Sequence, residues 1–119
     1  EDMKVSSREL IGLLVNNEAV LVDIRFAEEH AVWSMGFGLK IPLNELPARL
    51  RELPRDKLIV TACPHNDRAN IARVYLTTQG FNAAYLTDGL LGLMQNLRGD
   101  AARDFAKKVP MATPTKTKN

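Results

Sequence analysis

Residues 58–68 read Leu58-Ile59-Val60-Thr61-Ala62-Cys63-Pro64-His65-Asn66-Asp67-Arg68. The first five form a short, mostly apolar run of the kind that makes a strand buried on both faces of a parallel sheet. A loop from Cys63 to Asp67 follows at once. From Arg68 to Gln79 the pattern turns helical, with Ile71, Ala72, Tyr75 and Leu76 on one face and Gly80 as the stop. Strand, tight loop and helix in that order put the loop at the carboxyl edge of a parallel sheet, the edge at which α/β folds bind ligands. The chain's single cysteine opens this loop.

The same alternation continues in both directions. Upstream, Ser6 with Glu9 is a capping-box pattern that starts a helix with Leu10, Leu13 and Leu14 on its apolar face; Asn16-Asn17 stops it. Val20 to Ile24 reads as a buried strand, Ala27 to Val32 as one or two helical turns, and Leu39-Lys40-Ile41-Pro42 as a brief strand that Pro42 ends. Asn44 is placed to cap a helix through Leu46, Leu50 and Leu53, closed by Pro54. Downstream, Ala83 to Leu86 is a strand, and Asp88-Gly89 turns into a helix carrying Leu90, Leu93, Met94 and Leu97. A last amphipathic segment runs from Ala101 to Val109. Strands alternating with helices predict an α/β fold: a mostly parallel sheet of four to five strands with helices on both faces.

With 119 residues, 45% hydrophobic and 25% charged, the chain fits one domain with a core of its own. The domain is expected over 1–109, with a flexible tail over 110–119, where Thr, Lys and Pro predominate. One cysteine rules out an intrachain disulfide and a multi-cysteine zinc site, and no metal or cofactor is called for. Basic residues number 16 against 14 acidic, and the two are mixed along the chain, which argues against nucleic-acid binding. No apolar run is long enough to span a bilayer. Glu1-Asp2-Met3-Lys4 runs into a polar stretch unlike a secretory signal, and a lone thiol suits a reducing compartment, so a cytoplasmic location is expected.

A thiol at the mouth of such a loop faces backbone N–H groups and the N-terminal end of the following helix, both of which stabilise a thiolate. Arg68 adds a fixed charge. Cys63 is therefore the candidate nucleophile, with its pKa expected to fall, and Arg68 the candidate anion-positioning residue. Pro64, His65, Asn66 and Asp67 complete the candidate substrate-binding loop. His65 is either an acid, base or donor toward a bound oxyanion or a solvent-facing side chain. Asp23 ends a strand on the same sheet edge and is expected to brace the loop by accepting backbone hydrogen bonds. Arg25 is expected to pair with Glu28 or Glu29, and His30 to lie at the surface. Trp33 fits either a docking surface or the core.

The sequence resembles the rhodanese-like sulfurtransferase domains from about Val5 to Gln95. The matching pieces are Leu21-Val22-Asp23-Ile24-Arg25 with the trailing Glu28-Glu29-His30, then Ile41-Pro42-Leu43-Asn44-Glu45-Leu46, the loop Cys63 to Arg68, and Ala84-Tyr85-Leu86-Thr87-Asp88-Gly89. The resemblance implies that Cys63 takes up a sulfane sulfur as a persulfide and passes it to a thiophilic acceptor. Trp33-Ser34-Met35 stands where many members have Gly-His-Ile, Asp88-Gly89 replaces a glycine pair, Leu93 replaces an aromatic residue, and Asn66 replaces the loop glycine. Pro64 offers no N–H and Asp67 brings a negative charge; both disfavour a dianionic donor such as thiosulfate. A phosphatase is the second reading. Four residues separate Cys63 from Arg68, one fewer than the cysteine phosphatases use, and the tighter ring suits a terminal sulfur better than a phosphate. A non-catalytic interaction module on the same fold is the third. The expected partners are a sulfane-sulfur donor, small or protein-bound, and a thiol acceptor, with the chain a monomer or homodimer and neither nucleic acid nor membrane involved.

Overall fold

The computed structural model describes residues 4–65 and 67–109, and of 99–102 the backbone alone. Among the described residues, five strands, β1 (Lys4–Val5), β2 (Ala19–Asp23), β3 (Leu39–Lys40), β4 (Leu58–Ala62) and β5 (Ala83–Leu86), form one sheet in the order β1-β5-β4-β2-β3. Every pairing is parallel, with Val22 opposite Thr61 and Asp23 opposite Ala62 at the centre. β4 is flanked on both sides, which explains its run of buried residues. The two-residue strands β1 and β3 form the edges, and so short an edge offers little template for pairing with another chain. β1 escapes the sequence reading because two residues carry no periodicity.

Helices cover both faces, as expected. The period of two along each strand divides the core. Val22, Ile24, Ile41 and Ile59 pack with Leu46 of the 3-10 helix Leu43–Glu52, with Leu53 just after it, and with Ala72 and Leu76 of helix α3 (Asp67–Thr78). Leu21, Val60, Ala62 and Leu86 point the other way. They meet Leu10 of α1 (Ser7–Val15), Leu90 and Leu93 of α4 (Gly89–Asn96), and Phe105 of α5 (Gly99–Lys108). The remaining helix, α2 (Ala27–Val32), buries none of its residues and lies after β2 at the carboxyl edge.

The capping box at Ser6 is formed in both directions, at 3.2 Å to the Glu9 N–H and 2.8 Å back to the Ser6 N–H. Asn17, at φ 60°, ends α1 in the left-handed region that asparagine tolerates. Two local expectations are corrected. Asn44 does not cap a helix: Pro42 occupies that position, Asn44 lies inside, and Pro47 in the middle cannot donate its i→i−4 bond, so the segment winds as 3-10 with a break at Arg49. Ile71 is 59% exposed and not on the buried face of α3. The small Ala69 and Ala72, with Leu76, face the sheet instead and allow the helix to approach it closely. The tail expected over 110–119 lies outside the described residues. Among those described, no helix is long and apolar enough to cross a membrane.

Candidate active site

Cys63 follows β4 directly and its side chain belongs to the layer between the sheet and α3. The loop is pinned from three directions. The Ala62 carbonyl accepts from the Ile24 N–H at 3.0 Å, tying it to the end of β2. The Cys63 carbonyl accepts from the Leu90 N–H at 3.1 Å, tying it to the start of α4. The buried Thr61 hydroxyl donates to the Ala69 carbonyl at 2.7 Å, joining β4 to the first turn of α3. Behind the loop, Gly89 has φ +70°, and a Cβ there would sit 2.4 Å from the Pro64 carbonyl oxygen. Only glycine permits that approach. Asp88 accepts from the Ser7 N–H at 3.0 Å, placing a carboxylate at the start of α1. Beside the loop lies an open cleft of about 230 Å³ lined by Pro64, His65, Thr87, Asp88 and Gly89.

The thiol itself is buried. Its proton is donated to the His65 carbonyl, and its sulfur accepts from the Ala69 N–H at 3.3 Å. Burial pushes its pKa up, against the expected fall. The Ala69 N–H, the Arg68 charge and the Arg68 N–H oppose that rise without cancelling it, and Asp67 adds to it. Burial thus favours the neutral thiol over the thiolate.

Arg68 stands at the start of α3 as expected, but its guanidinium is held elsewhere. Both terminal nitrogens donate to the Glu29 carboxylate, at 2.7 and 3.0 Å. The same carboxylate accepts from the Phe26 N–H at 2.8 Å, which caps α2. The Arg68 hydrogen bonds are the largest influence holding the Glu29 carboxyl at about 2, against an ordinary 4.5. Phe26 stacks beneath the Arg68 guanidinium at 5.3 Å. Sequence reasoning named Glu29 as a trailing acid and as a possible partner of Arg25, and missed its pairing with Arg68; a 39-residue separation gives no local signal.

Three neighbouring expectations are corrected. Asp23 takes no hydrogen bond from the described residues of the loop. Its buried carboxylate takes the Arg25 N–H and the Arg25 guanidinium, the latter at 2.8–3.1 Å. Arg25 accordingly pairs with neither Glu28 nor Glu29; it is buried, donates to the Trp33 carbonyl at 3.0 Å, and lies 5.0 Å from that ring. Trp33 is 41% exposed, between the two readings. His30 is not at the surface: both ring nitrogens are buried without a hydrogen-bond partner among the described residues, and Nε2 lies 3.8 Å from Asp23. Pro64 is half-buried, His65 and Asp67 are exposed, and Asn66 lies outside the described residues.

The family model described as the rhodanese-like domain matches residues 6–96. The chain belongs to the rhodanese-like domain family. A sulfurtransferase of Allochromatium vinosum is 30% identical over 112 residues, covering 93% of this chain and 95% of that protein. Among solved structures, a human single-domain sulfurtransferase superposes with a TM-score of 0.71 at 24% identity, over 80% of this chain and 97% of that one. A yeast single-domain sulfurtransferase, from Saccharomyces cerevisiae, gives 0.65 at 20% identity, over 92% and 97%. These two likenesses concern the fold. Family and relative together support a transferase role.

Proposed function

We propose that the chain carries sulfane sulfur on Cys63, moving it from a persulfide, polysulfide or thiosulfate donor to a thiol acceptor. The observation that supports this most is the placement of one thiol at the carboxyl end of β4, with the first-turn N–H groups of α3 aimed at its sulfur. In the first half-reaction the thiol gives up its proton and Sγ attacks the outer sulfur of the donor. The donor's sulfur–sulfur bond breaks and its electron pair leaves with the remaining donor. In the second, an acceptor thiolate attacks the outer sulfur of the Cys63 persulfide, and Cys63 leaves as a thiolate. The N–H groups that face Sγ stabilise it as attacking and as leaving anion. Because no other cysteine exists in the chain, nothing within it resolves the persulfide.

Asp67 raises the cost of negative charge at Sγ and Pro64 supplies no N–H, so thiosulfate is the poorest of the three donors in this reading. The neighbouring cleft, lined by Asp88 and, among the described residues, by no lysine or arginine, fits the same preference. A reducing, cytoplasmic setting suits a carrier with a free thiol. Intact-mass spectrometry after exposure to polysulfide is the test. The expected result is a gain of one sulfur mass that cyanide removes and that Cys63→Ser does not show. No gain with any donor would leave a non-catalytic interaction module. An Asp67→Asn protein is expected to use thiosulfate with a lower KM than wild type.

A further inference from the structure

We infer that Glu29 sets the charge selectivity of the Cys63 site by holding Arg68 in a two-bond clamp, so that the loop arginine is not free to receive an anionic donor. This rests on the sulfur-carrier reading and adds the residue that selects the class of donor. Three observations on separate elements support it. Both terminal guanidinium nitrogens of Arg68 are committed to one carboxylate, at 2.7 and 3.0 Å. A two-bond arginine–carboxylate pair has a fixed geometry, and a donor anion must displace the carboxylate to use that arginine. The clamp is itself anchored, because the Phe26 N–H holds the same carboxylate at 2.8 Å and Phe26 packs against the guanidinium. Finally, the charges that act on the thiol are Asp67 and Arg68, one acid against one base, and that base is already neutralised by Glu29. The other nearby cation, Arg25, is spent on the buried Asp23.

The consequence is a site tuned to sulfur donors that bring little charge to the reacting end, such as a polysulfide chain or a persulfide carried on another molecule. A compact dianion meets a net negative rim. Removing the Glu29 charge frees Arg68 to balance Asp67 beside Sγ and weakens that preference. Glu29 touches no reacting atom in this account; it is a positioning residue that acts through Arg68.

Alkylation of Cys63 tests the inference without requiring sulfur transfer, so its outcome is separate from that of the proposed function. Iodoacetate and iodoacetamide react by the same displacement, Sγ attacking carbon as iodide leaves, and they differ by one negative charge. Thiolate fraction and loop opening are common to both, so both cancel in the ratio of their rates. Glu29→Gln, whose amide oxygen can still cap α2, is expected to raise the iodoacetate-to-iodoacetamide ratio about threefold at low salt, the size of one charge acting across several ångströms of solvated surface. The gain is expected to vanish in ~1 M salt. Glu28→Gln removes the same charge from the same turn, at an exposed residue outside the Arg68 clamp, and is expected to leave the ratio within error of wild type. A readout on unmodified protein guards against a Glu29 variant that does not fold: in wild type, added salt should raise the ratio, as it does where a site repels anions. A ratio that falls with salt in wild type overturns the inference. So does an unchanged ratio in folded Glu29→Gln, or an equal rise in Glu28→Gln.

Discussion

Asp23 and Arg25 stand two residues apart and make a fully buried, hydrogen-bonded ion pair at the carboxyl end of β2. Such a pair adds little net stability over apolar residues of the same size, yet breaking one half leaves an uncompensated charge. Arg25→Met is therefore expected to lower unfolding free energy by about 3–5 kcal/mol, and the double variant Asp23→Leu/Arg25→Met to recover part of it, both read by urea denaturation. The Glu29–Arg68 pair behaves differently because it is 24–35% exposed. Its contribution is on the order of 0.2–1 kcal/mol after screening. Since the Glu29 carboxyl sits at about 2 in the folded chain and 4.5 ordinarily, folding favours its charged form. The stabilisation is then complete above about pH 4.5 and is lost as pH falls through about 2. The stability difference between wild type and Glu29→Gln should be flat at neutral pH and shrink across that window; a difference that grows toward acid contradicts the pairing. At Cys63 burial raises the thiol pKa and Arg68 lowers it. Arg68→Ala is thus expected to move the alkylation profile to higher pH, and an unmoved profile means its charge is fully spent on Glu29.

At the scale of elements, the active loop is shaped as much by what lies behind it as by its own residues. Gly89, at the first position of α4, lets the Pro64 carbonyl approach to a distance no Cβ allows. Gly89→Ala forces a residue with a side chain into φ +70° and pushes the loop outward. The expected cost is about 1–3 kcal/mol, together with loss of sulfur uptake on Cys63; uptake at the wild-type rate would mean the loop tolerates the shift. Most elements were legible in the sequence because periodicity reports local exposure: the strand at 58–62, the brief strand at 39–40, the helix at 27–32 and the capping box at Ser6 stand where the pattern puts them. The loop's place at the sheet edge followed from that order. What failed was of two kinds. Proline chemistry inside Leu43–Glu52 overrode a helical spacing, and in α3 an exposed Ile71 and Val74 blurred which face is inward. Side-chain partners were less legible still. Arg25 had two acids within four residues on one side and one acid two residues away on the other, and only the burial at the end of β2 decides among them.

On the scale of the whole molecule, two layers of core hold one sheet edge rigid, and the thiol lies at the end of its central strand. α5 lies beyond the segment matched by the family model, yet Phe105 from it is buried and meets Phe37 edge-on, with centroids 5.0 Å apart. Phe105→Ala is expected to lower stability by about 3–5 kcal/mol without altering the charge selectivity of Cys63, because Phe105 packs on the face opposite α3. A changed selectivity would show that the two layers are coupled through the sheet. The central claim is that sulfur rests on Cys63 between two separable half-reactions. The direct measurement loads the protein with polysulfide, removes all donor by gel filtration, and then adds a thiol acceptor. The account predicts that acceptor persulfide forms in a single turnover, up to one sulfur per chain, with Cys63 returned to the free thiol and Cys63→Ser delivering none. Transfer that occurs only while donor and acceptor are present together, or that survives in Cys63→Ser, would contradict it.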